Sequence, residues 1–190
     1  MCGIVGYVGN KEAQPILLDC LSKLEYRGYD SCGIAIGGNS LEKYKAAVRV
    51  ATMSEQSPAL QGKIGIGHTR WATHGPPNST NAHPHFDCSG KIAVVHNGIV
   101  GNYLALKRQL INEGHRFASE TDTEVISHLI EKHYNGDLLR AVETALKEVD
   151  GTYAIAVLME GVDYLVVSRK DSPLVAGLGD GEYFIASDVP

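Results

Sequence analysis

Short apolar segments that lack polar alternation restrict this chain to a small number of folds. Gly3–Val8, Cys32–Ile36 and Tyr153–Met159 are three such segments, and turn-forming residues flank them. A strand with one solvated face alternates apolar and polar residues, so an uninterrupted apolar run predicts a strand buried on both faces. Strands of this kind need a covering layer on each side.

Helical periodicity occupies much of the chain between the strands. Ala13–Leu24 carries an apolar face, and Asn102–Asn112 carries another. Thr121 and Glu124 have the T-x-x-E spacing of a capping box, and Asp137 is a suitable N-cap for a further helix. The order of strands, helices and then strands again predicts an α+β fold with stacked sheets between helical layers, rather than a doubly wound parallel sheet.

The middle of the chain is its least regular part. Ile64–Arg70 predicts a strand, but Trp71–Gly90 contains three prolines and almost no periodic pattern. An irregular loop of that length inside a compact domain is usually functional or disordered. Lys91–His96 then predicts a strand that ends at Asn97-Gly98, a pair strongly preferred in tight turns.

Composition and charge exclude several classes of function. A length of 190 residues with 44% apolar and 21% charged residues is typical of one globular domain. The net charge of −5, with no basic cluster, argues against nucleic acid as a partner. The apolar runs are too short for a membrane span and no signal peptide is evident, so we expect a cytoplasmic protein with reduced cysteines. The abrupt end at Ala186–Pro190 leads us to expect a chain cut inside a larger protein.

The second residue is the first candidate for chemistry. Removal of Met1 would leave Cys2 with a thiol and a free α-amine, whose reference pKa is about 8. One residue would then carry both a nucleophile and a base. Most cysteines at second position have no such role, so the position alone does not decide the matter.

Four further residues could serve acyl transfer by a thiolate. The Asn97 side chain and the adjacent Gly98 N–H can stabilise an oxyanion, although Asn-Gly is also an ordinary turn. Arg70 can clamp a carboxylate, or form a surface salt bridge of little energetic value. Asp122 can bind an ammonium group, or complement the dipole of the helix that follows it.

The histidines offer a competing hypothesis of a metal-dependent hydrolase. Five of the eight lie within 29 residues: His68, His74, His83, His85 and His96. Zinc usually requires three or four ligands, and only Asp87 and Cys88 lie close to His83-Pro84-His85 in sequence. We therefore expect these histidines to be structural, with no metal and no cofactor.

Several sequence blocks together resemble a known family. The opening Cys2–Gly6 is similar to that of class II glutamine amidotransferases, which belong to the N-terminal-nucleophile hydrolases. The remaining blocks resemble, in order, the glutaminase domain of the glucosamine-6-phosphate synthases, or glutamine:fructose-6-phosphate aminotransferases: Leu24–Ser31, His68–Gly75, Asn81–His85, His96–Gly98 and Ser119–Glu124.

The resemblance implies a four-layer αββα sandwich of two mainly antiparallel sheets. Residues 1–190 would form a single type-2 glutamine amidotransferase domain, truncated at its C-terminus and separated from the isomerase domains of the parent enzyme. In the same terms, Cys2 is the nucleophile, its α-amine is the general base, and Asn97 and Gly98 form the oxyanion hole. Arg70 binds the glutamine α-carboxylate and Asp122 binds its α-ammonium.

The resemblance also assigns the surroundings of the site and the overall reaction. Thr73 and His74 belong to a loop that closes over glutamine, and Trp71 and Arg27 line or gate the site. A thioester on Cys2 would release glutamate and ammonia, which the isomerase domains of the parent enzyme add to fructose 6-phosphate to make glucosamine 6-phosphate. We expect the parent enzyme to be a homo-oligomer. The alternatives are a catalytically silent fragment of this domain and the histidine-based metal hydrolase.

Overall fold

The computed structural model describes residues 2–38, 40–72 and 75–189. Its first half contains β1 (Gly3–Val8), α1 (Ala13–Leu24), β2 (Ser31–Gly37), β3 (Leu41–Ala46), α2 (Val50–Gln56), β4 (Ile64–Arg70) and β5 (His85–Phe86). Its second half contains β6 (Ile92–Val100), α3 (Tyr103–Asn112), α4 (Glu124–His133), α5 (Leu138–Lys147), β7 (Gly151–Met159), β8 (Val166–Lys170), β9 (Val175–Leu178) and β10 (Tyr183–Ala186). Among the described residues, no helix has both the length and the hydropathy needed to cross a membrane.

Two antiparallel sheets form the centre of the molecule, as the apolar strands predicted. Within the described ranges, six strands pair in the order β3-β2-β4-β1-β10-β9 and four pair in the order β5-β6-β7-β8. In the first sheet β1 runs antiparallel to β4, with Gly3 opposite Thr69 and Ile4 opposite His68. This register brings the residue that precedes β1 next to the residues that follow β4.

Three apolar clusters separate the layers. The cluster between the two sheets includes Ile4 and Ile66 from one sheet and Val95 and Leu158 from the other. A second cluster packs α1 and α2 against the outer face of the six-stranded sheet, and a third packs α3, α4 and α5 against the four-stranded sheet. The layer order is therefore helix, sheet, sheet, helix, so the predicted α+β arrangement is confirmed. Each fully buried aliphatic side chain contributes about 1.5–3 kcal/mol to this packing.

Glycines in β4 allow α1 to approach the sheet closely. A Cβ atom at Gly65 would lie 2.8 Å from Cδ1 of Leu17, and one at Gly67 would lie 3.0 Å from Cδ1 of Leu21. Both distances are shorter than normal carbon contacts, so the two leucines occupy space that side chains on β4 would fill. The sequence I-G-I-G of β4 thus places α1 directly on the strand that leads to Arg70.

The predicted end of the strand at Asn97-Gly98 is wrong. β6 continues to Val100, because its pairing with β7 runs without interruption from Ile92 opposite Met159 to Val100 opposite Gly151. Gly98 has a φ of 140° and lies opposite Tyr153 within this ladder. The turn preference of Asn-Gly is local, and nine residues of antiparallel pairing outweigh it.

The predicted helix starts had mixed outcomes. The Asp137 side chain accepts a hydrogen bond from the Arg140 backbone N–H, so this cap is confirmed. The capping box at Thr121 is wrong, because α4 begins only at Glu124. The Glu124 carboxylate accepts bonds from the backbone N–H groups of Ala118 and Ser119 and therefore stabilises the preceding loop instead.

The irregular region also contains a feature that periodicity did not predict. His85 and Phe86 form a two-residue strand at the edge of the four-stranded sheet, opposite Val94 and Ala93. Two residues are too few to show a periodic pattern, so only the pairing with β6 reveals the strand. Most of the other residues that the structure describes in this segment lack regular structure, as the sequence indicated.

Candidate active site

The candidate site lies where the start of β1 meets the end of β4. Cys2 directly precedes β1, and Trp71 directly follows Arg70, the last residue of β4. The Trp71 backbone N–H donates a hydrogen bond of 3.2 Å to Sγ of Cys2. The antiparallel register of these two strands therefore fixes the position of the thiol.

A cavity of about 300 Å³ opens beside Cys2. Its walls come from both sheets, from the segment before α4 and from the segment after β8. The lining residues are Cys2, Arg27, Arg70, Trp71, His83, His96, Asn97, Gly98, Ile99, Thr121, Asp122, Thr123, Thr152, Ser172 and Pro173. All of the predicted site residues within the described ranges are in this group. Thr73 and His74 lie outside the described residues.

The Cys2 thiol is held in its protonated form by its surroundings. Burial raises the pKa of Cys2 above its ordinary value, because a thiolate loses hydration there. The Trp71 N–H and the positive charges of Arg70 and Arg27 lower the same pKa but do not cancel the effect of burial. A nucleophilic thiolate at this position therefore needs a base that removes the proton during the reaction.

Asn97 connects the second sheet to Cys2. Its Nδ2 donates a hydrogen bond of 2.9 Å to the carbonyl oxygen of Cys2. Its Oδ1 lies 3.0 Å from Nε2 of His68, and the same Nε2 lies 3.2 Å from the carbonyl oxygen of His96. Both neighbours of that nitrogen are acceptors, so Nε2 of His68 carries the proton and fixes the Asn97 amide with its NH₂ group toward Cys2.

Within the described residues, one hydrogen of the Asn97 side-chain amide has no acceptor. An amide NH₂ carries two hydrogens, and the bond to the Cys2 carbonyl uses one of them. Gly98 is exposed and lines the same cavity as Asn97. The two residues thus lie side by side on one wall of the cavity, where Asn97 offers an amide hydrogen.

Two oppositely charged residues line the same cavity. Arg70 is buried, and its guanidinium donates to the carbonyl oxygens of Gly75 and Pro76 at 3.2 and 3.4 Å. Burial lowers the pKa of Arg70, while the charges of Cys2, Asp30 and Asp122 act in the opposite direction. Asp122 is also buried, and its Oδ2 accepts a bond of 2.9 Å from the Val100 N–H. A cation and an anion in one small cavity suit a zwitterionic ligand.

Arg27 and Trp71 frame the entrance. Nε of Arg27 donates to the Cys2 carbonyl oxygen at 3.2 Å, and its NH1 forms a 2.6 Å ion pair with Asp188. The Tyr26 hydroxyl also donates to this carboxylate. The Trp71 side chain is 45% exposed and meets the Tyr29 ring edge-on at 5.5 Å. The sequence identified Arg27 but gave no signal for its partner Asp188, which lies 161 residues away.

The buried histidines form a hydrogen-bonded layer behind the site. His83 and His96 both contact Oγ1 of Thr123, at 3.0 and 2.9 Å, and the ring of His68 stacks on that of His83 at 4.0 Å. Burial lowers the pKa of His68 to about 3 and those of His83 and His85 well below their ordinary value. These rings are therefore neutral at physiological pH and act as hydrogen-bonding groups.

Sequence reasoning missed several residues of the cavity wall. The sequence assigns Thr121 to a capping box and places Thr123 only within the Ser119–Glu124 block, although the hydroxyl of Thr121 contacts His85 and that of Thr123 contacts His83 and His96. Ser172 and Pro173 reach the cavity because Asp171 forms an isolated bridge with Tyr153 of β7. No local sequence pattern predicts a bridge between such distant residues, so the sequence did not identify Ser172 and Pro173 as lining residues.

Comparisons with known proteins agree on one family. A family model described as a glutamine amidotransferase domain matches residues 68–190, well over half of the chain. The chain is 55% identical to a glutamine–fructose-6-phosphate aminotransferase (isomerizing) of Caldanaerobacter subterraneus subsp. tengcongensis, 56% to that of Clostridium tetani and 55% to one from Thermus thermophilus. Each match covers the whole of this chain and 32% of the relative, so the chain spans about a third of their length.

Solved structures give the same result for the fold. The glutamine phosphoribosylpyrophosphate amidotransferase of B. subtilis, complexed with ADP and GMP, has a TM-score of 0.86 and 29% identity, over 98% of this chain and 42% of that one. A predicted glutamine amidotransferase of Pseudomonas aeruginosa, 14% identical with a TM-score of 0.51, shares the fold over 97% of this chain and 83% of its own. The chain therefore belongs to the glutamine amidotransferase domain family.

Proposed function

We propose that the chain is the glutaminase part of a glutamine–fructose-6-phosphate aminotransferase. It hydrolyses the side-chain amide of L-glutamine to glutamate and ammonia. The ammonia then reaches the isomerase domains of the full-length enzyme, which convert fructose 6-phosphate to glucosamine 6-phosphate. The names of the relatives and their 55–56% identity over the whole chain support this assignment.

One observation carries the proposal for the site. Sγ of Cys2, the amide of Asn97 and the opposite charges of Arg70 and Asp122 all face one cavity of about 300 Å³. Glutamine has a carboxylate and an ammonium group at one end and an amide at the other. Arg70 binds the α-carboxylate through its planar fork and Asp122 binds the α-ammonium, so the side-chain amide extends toward Cys2.

The proposed reaction begins with Cys2. The thiol gives its proton to the α-amine that removal of Met1 leaves on the same residue, and Sγ attacks the amide carbon. The free Nδ2 hydrogen of Asn97 and the Gly98 N–H stabilise the oxyanion. The amine then passes the proton to the leaving nitrogen, so that ammonia departs and a thioester remains on Cys2. Water hydrolyses the thioester to glutamate and restores the thiol.

The residues around the entrance have supporting roles in this proposal. Arg27 holds the Cys2 carbonyl and so orients the residue that carries both the nucleophile and the base. Trp71 positions the thiol through its N–H and covers the entrance with its ring. Thr73 and His74 belong to the loop that closes over glutamine. The proposal also includes a cytoplasmic, homo-oligomeric parent enzyme, on the basis of the family resemblance alone.

Covalent labelling tests the assignment of Cys2. A glutamine analogue with an electrophile in place of the side-chain amide is incubated with the chain, and the labelled peptide is identified by mass spectrometry. We expect one label per chain, on Cys2, with excess glutamine protecting against it. We expect the Cys2→Ala variant to lose glutamate release. The control variant is Cys20→Ala, which should retain it, because Cys20 is a half-buried cysteine on α1. Labelling of another cysteine would contradict the proposal, and so would a chain whose Cys2 takes up the label but which releases no glutamate when it is given glutamine without the analogue.

A further inference from the structure

A second cluster of reactive side chains lies away from the cavity. Cys88 is in the turn between β5 and β6, His115 follows α3, and His128 and Glu131 are on α4. One donor atom from each lies within 4.8 Å of all the others. The four residues come from three separate segments, so the fold and not local sequence brings them together.

The sulfur–nitrogen distances within this cluster match the edges of a metal coordination shell. Sγ of Cys88 lies 3.7 Å from Nδ1 of His115 and 3.6 Å from Nδ1 of His128. A tetrahedral zinc ion with bonds of about 2.3 Å to sulfur and about 2.0–2.1 Å to nitrogen requires a sulfur–nitrogen separation of about 3.6 Å. Oε2 of Glu131 lies 3.2 Å from Nδ1 of His128, close to the value of about 3.3 Å for a nitrogen–oxygen edge. It lies 2.8 Å from Nδ1 of His115, a hydrogen-bond distance that lengthens when an ion replaces the proton between the two atoms.

The surroundings of His128 are also typical of a histidine that binds a metal ion. Its side chain is 1% exposed, and its Nε2 has no hydrogen-bond partner among the residues that the structure describes. Oε1 of Glu124, also buried, lies 3.6 Å from that nitrogen. Histidines that bind a metal through one nitrogen usually direct the other toward a carboxylate, which fixes the tautomer and strengthens the ligand. Nδ1 of His128 faces the cluster, and Nε2 faces Glu124.

Cys88 is placed to serve as a thiolate ligand. The Arg116 backbone N–H donates to its Sγ at 3.4 Å, a contact that favours negative charge on sulfur. Cys88 is exposed, so an ion can reach its sulfur. A thiol that coordinates zinc is deprotonated, so binding releases the thiol proton of Cys88 to solvent.

We propose that Cys88, His115, His128 and Glu131 bind one zinc ion as a structural site. A thiolate, two imidazoles and a carboxylate whose donor atoms lie within 4.8 Å of one another form a ligand set that favours Zn²⁺ over Mg²⁺ or Ca²⁺, which prefer oxygen ligands. All four positions of the ion are filled by protein, so the site is closed and has no place for a substrate. These residues are distinct from the His83–His85 pair that the sequence suggested as ligands.

The ion would join three segments near the cavity. It ties the β5–β6 turn and the segment after α3 to α4, whose first residue Glu124 directly follows Asp122 and Thr123 of the cavity wall. The proposed role is to hold the start of α4, and thereby the ammonium-binding Asp122, in place. The chemistry at Cys2 does not involve the ion.

Cobalt binding tests the proposal without any measurement of activity. The chain is treated with a chelator and titrated with Co²⁺, in a Cys2→Ala background that removes the active-site thiol as a ligand. We expect one ion per chain, a thiolate-to-cobalt charge-transfer band and the intense visible absorption of tetrahedral cobalt, with displacement by Zn²⁺. Cys88→Ser abolishes the charge-transfer band, and His115→Ala weakens binding at least about tenfold.

Matched controls keep the result interpretable. Cys20→Ser in the same background leaves the titration unchanged, because Cys20 lies on α1, outside the cluster. X-ray absorption of the zinc-loaded chain should show one sulfur and three nitrogen or oxygen ligands. This measurement needs no variant, so it does not depend on whether a substituted chain folds. Absence of stoichiometric binding, a spectrum without a sulfur ligand, or a charge-transfer band that persists in folded Cys88→Ser would overturn the proposal.

Discussion

The side-chain amide of Asn97 donates a hydrogen bond of 2.9 Å to the carbonyl oxygen of Cys2. Asn97 belongs to the four-stranded sheet and Cys2 precedes a strand of the six-stranded sheet, so this bond crosses the interface between the two sheets. The stacking of the sheets therefore determines where the thiol lies relative to the amide. His68, beneath them, holds the Asn97 amide in the orientation that this bond requires.

Replacement of Asn97 by Asp tests the oxyanion assignment. Asp has the same shape but lacks the NH₂ donors, so we expect kcat for glutamate release to fall about 10²–10³-fold, or about 2.7–4 kcal/mol. Asn112→Asp, at the end of α3, serves as the control and should leave kcat unchanged. A kcat for Asn97→Asp within a few-fold of the unsubstituted chain would exclude Asn97 as an oxyanion donor.

Replacement of Arg70 by Lys tests the carboxylate clamp. Lysine keeps the charge but loses the planar fork, and hydrogen bonds to charged groups contribute about 1.5–3 kcal/mol. We expect kcat/KM for glutamine to fall about 10–100-fold, with most of the change in KM. Arg140→Lys, on the exposed surface of α5, should have no effect. An unchanged KM in Arg70→Lys would show that another group binds the carboxylate.

The buried histidines predict acid sensitivity. The pKa of His68 is lowered to about 3 by burial, and those of His83 and His85 are also well below the ordinary value, so the folded protein keeps all three rings neutral. In the unfolded chain they titrate near 6.5, so the unfolded state binds protons first as the pH falls. The stabilising contribution of the neutral rings is complete above about pH 7 and is lost as the pH falls below the unfolded pKa. For His68, the loss between pH 7 and pH 5 is about 2 kcal/mol.

Denaturant titrations across this range check the prediction. We expect the free energy of unfolding to fall by about 2 kcal/mol from His68 alone, with further losses from His83 and His85. Proton uptake on unfolding near pH 5.5 should be about three or more per chain. A free energy of unfolding that is constant between pH 7 and pH 5 would contradict the assignment of neutral buried rings.

Gly98 should tolerate no side chain. Its φ of 140° is unfavourable for other residues, and a Cβ atom would lie 2.0 Å from the Thr152 carbonyl oxygen. We expect Gly98→Ala to destabilise the chain by more than about 1–3 kcal/mol, since the strained backbone and the clash both contribute. Gly90→Ala is a matched control, because Gly90 also has a positive φ but has nothing within 4 Å of its added Cβ. Equal losses of stability in the two variants would show that the contact with Thr152 has no effect.

The parts of the fold that could be predicted are those with strong local patterns. Gly3–Val8 and Ala13–Leu24 have the same bounds in the structure as in the sequence analysis, because apolar runs and helical faces directly report burial. The Asn97-Gly98 turn and the Thr121 capping box were wrong for a common reason. In each case a local preference competed with long-range partners, namely β7 for the first and His85 for the second.

In the site, too, the residues with a local sequence signal could be predicted and those placed by long-range contacts could not. Cys2, Arg70, Asn97 and Asp122 could be proposed from their chemistry and their sequence blocks, and all four line one cavity. The side chains that hold these four residues in position could not be predicted, because they come from distant parts of the chain. The bond from His68 to Asn97 spans 29 residues, and the pair of Arg27 with Asp188 spans 161. Contacts at such separations depend on how the sheets stack, which no local pattern records.

The central claim is that Cys2 acts as both nucleophile and base, and the rate of glutamate release measures this most directly. Two preparations of the same chain are compared, one that begins at Cys2 and one that retains Met1, with each N-terminus verified by intact mass. A general base contributes about 10²–10⁴-fold to such a reaction, so the preparation that retains Met1 should be slower by at least about 10². Equal turnover by the two preparations would contradict the account.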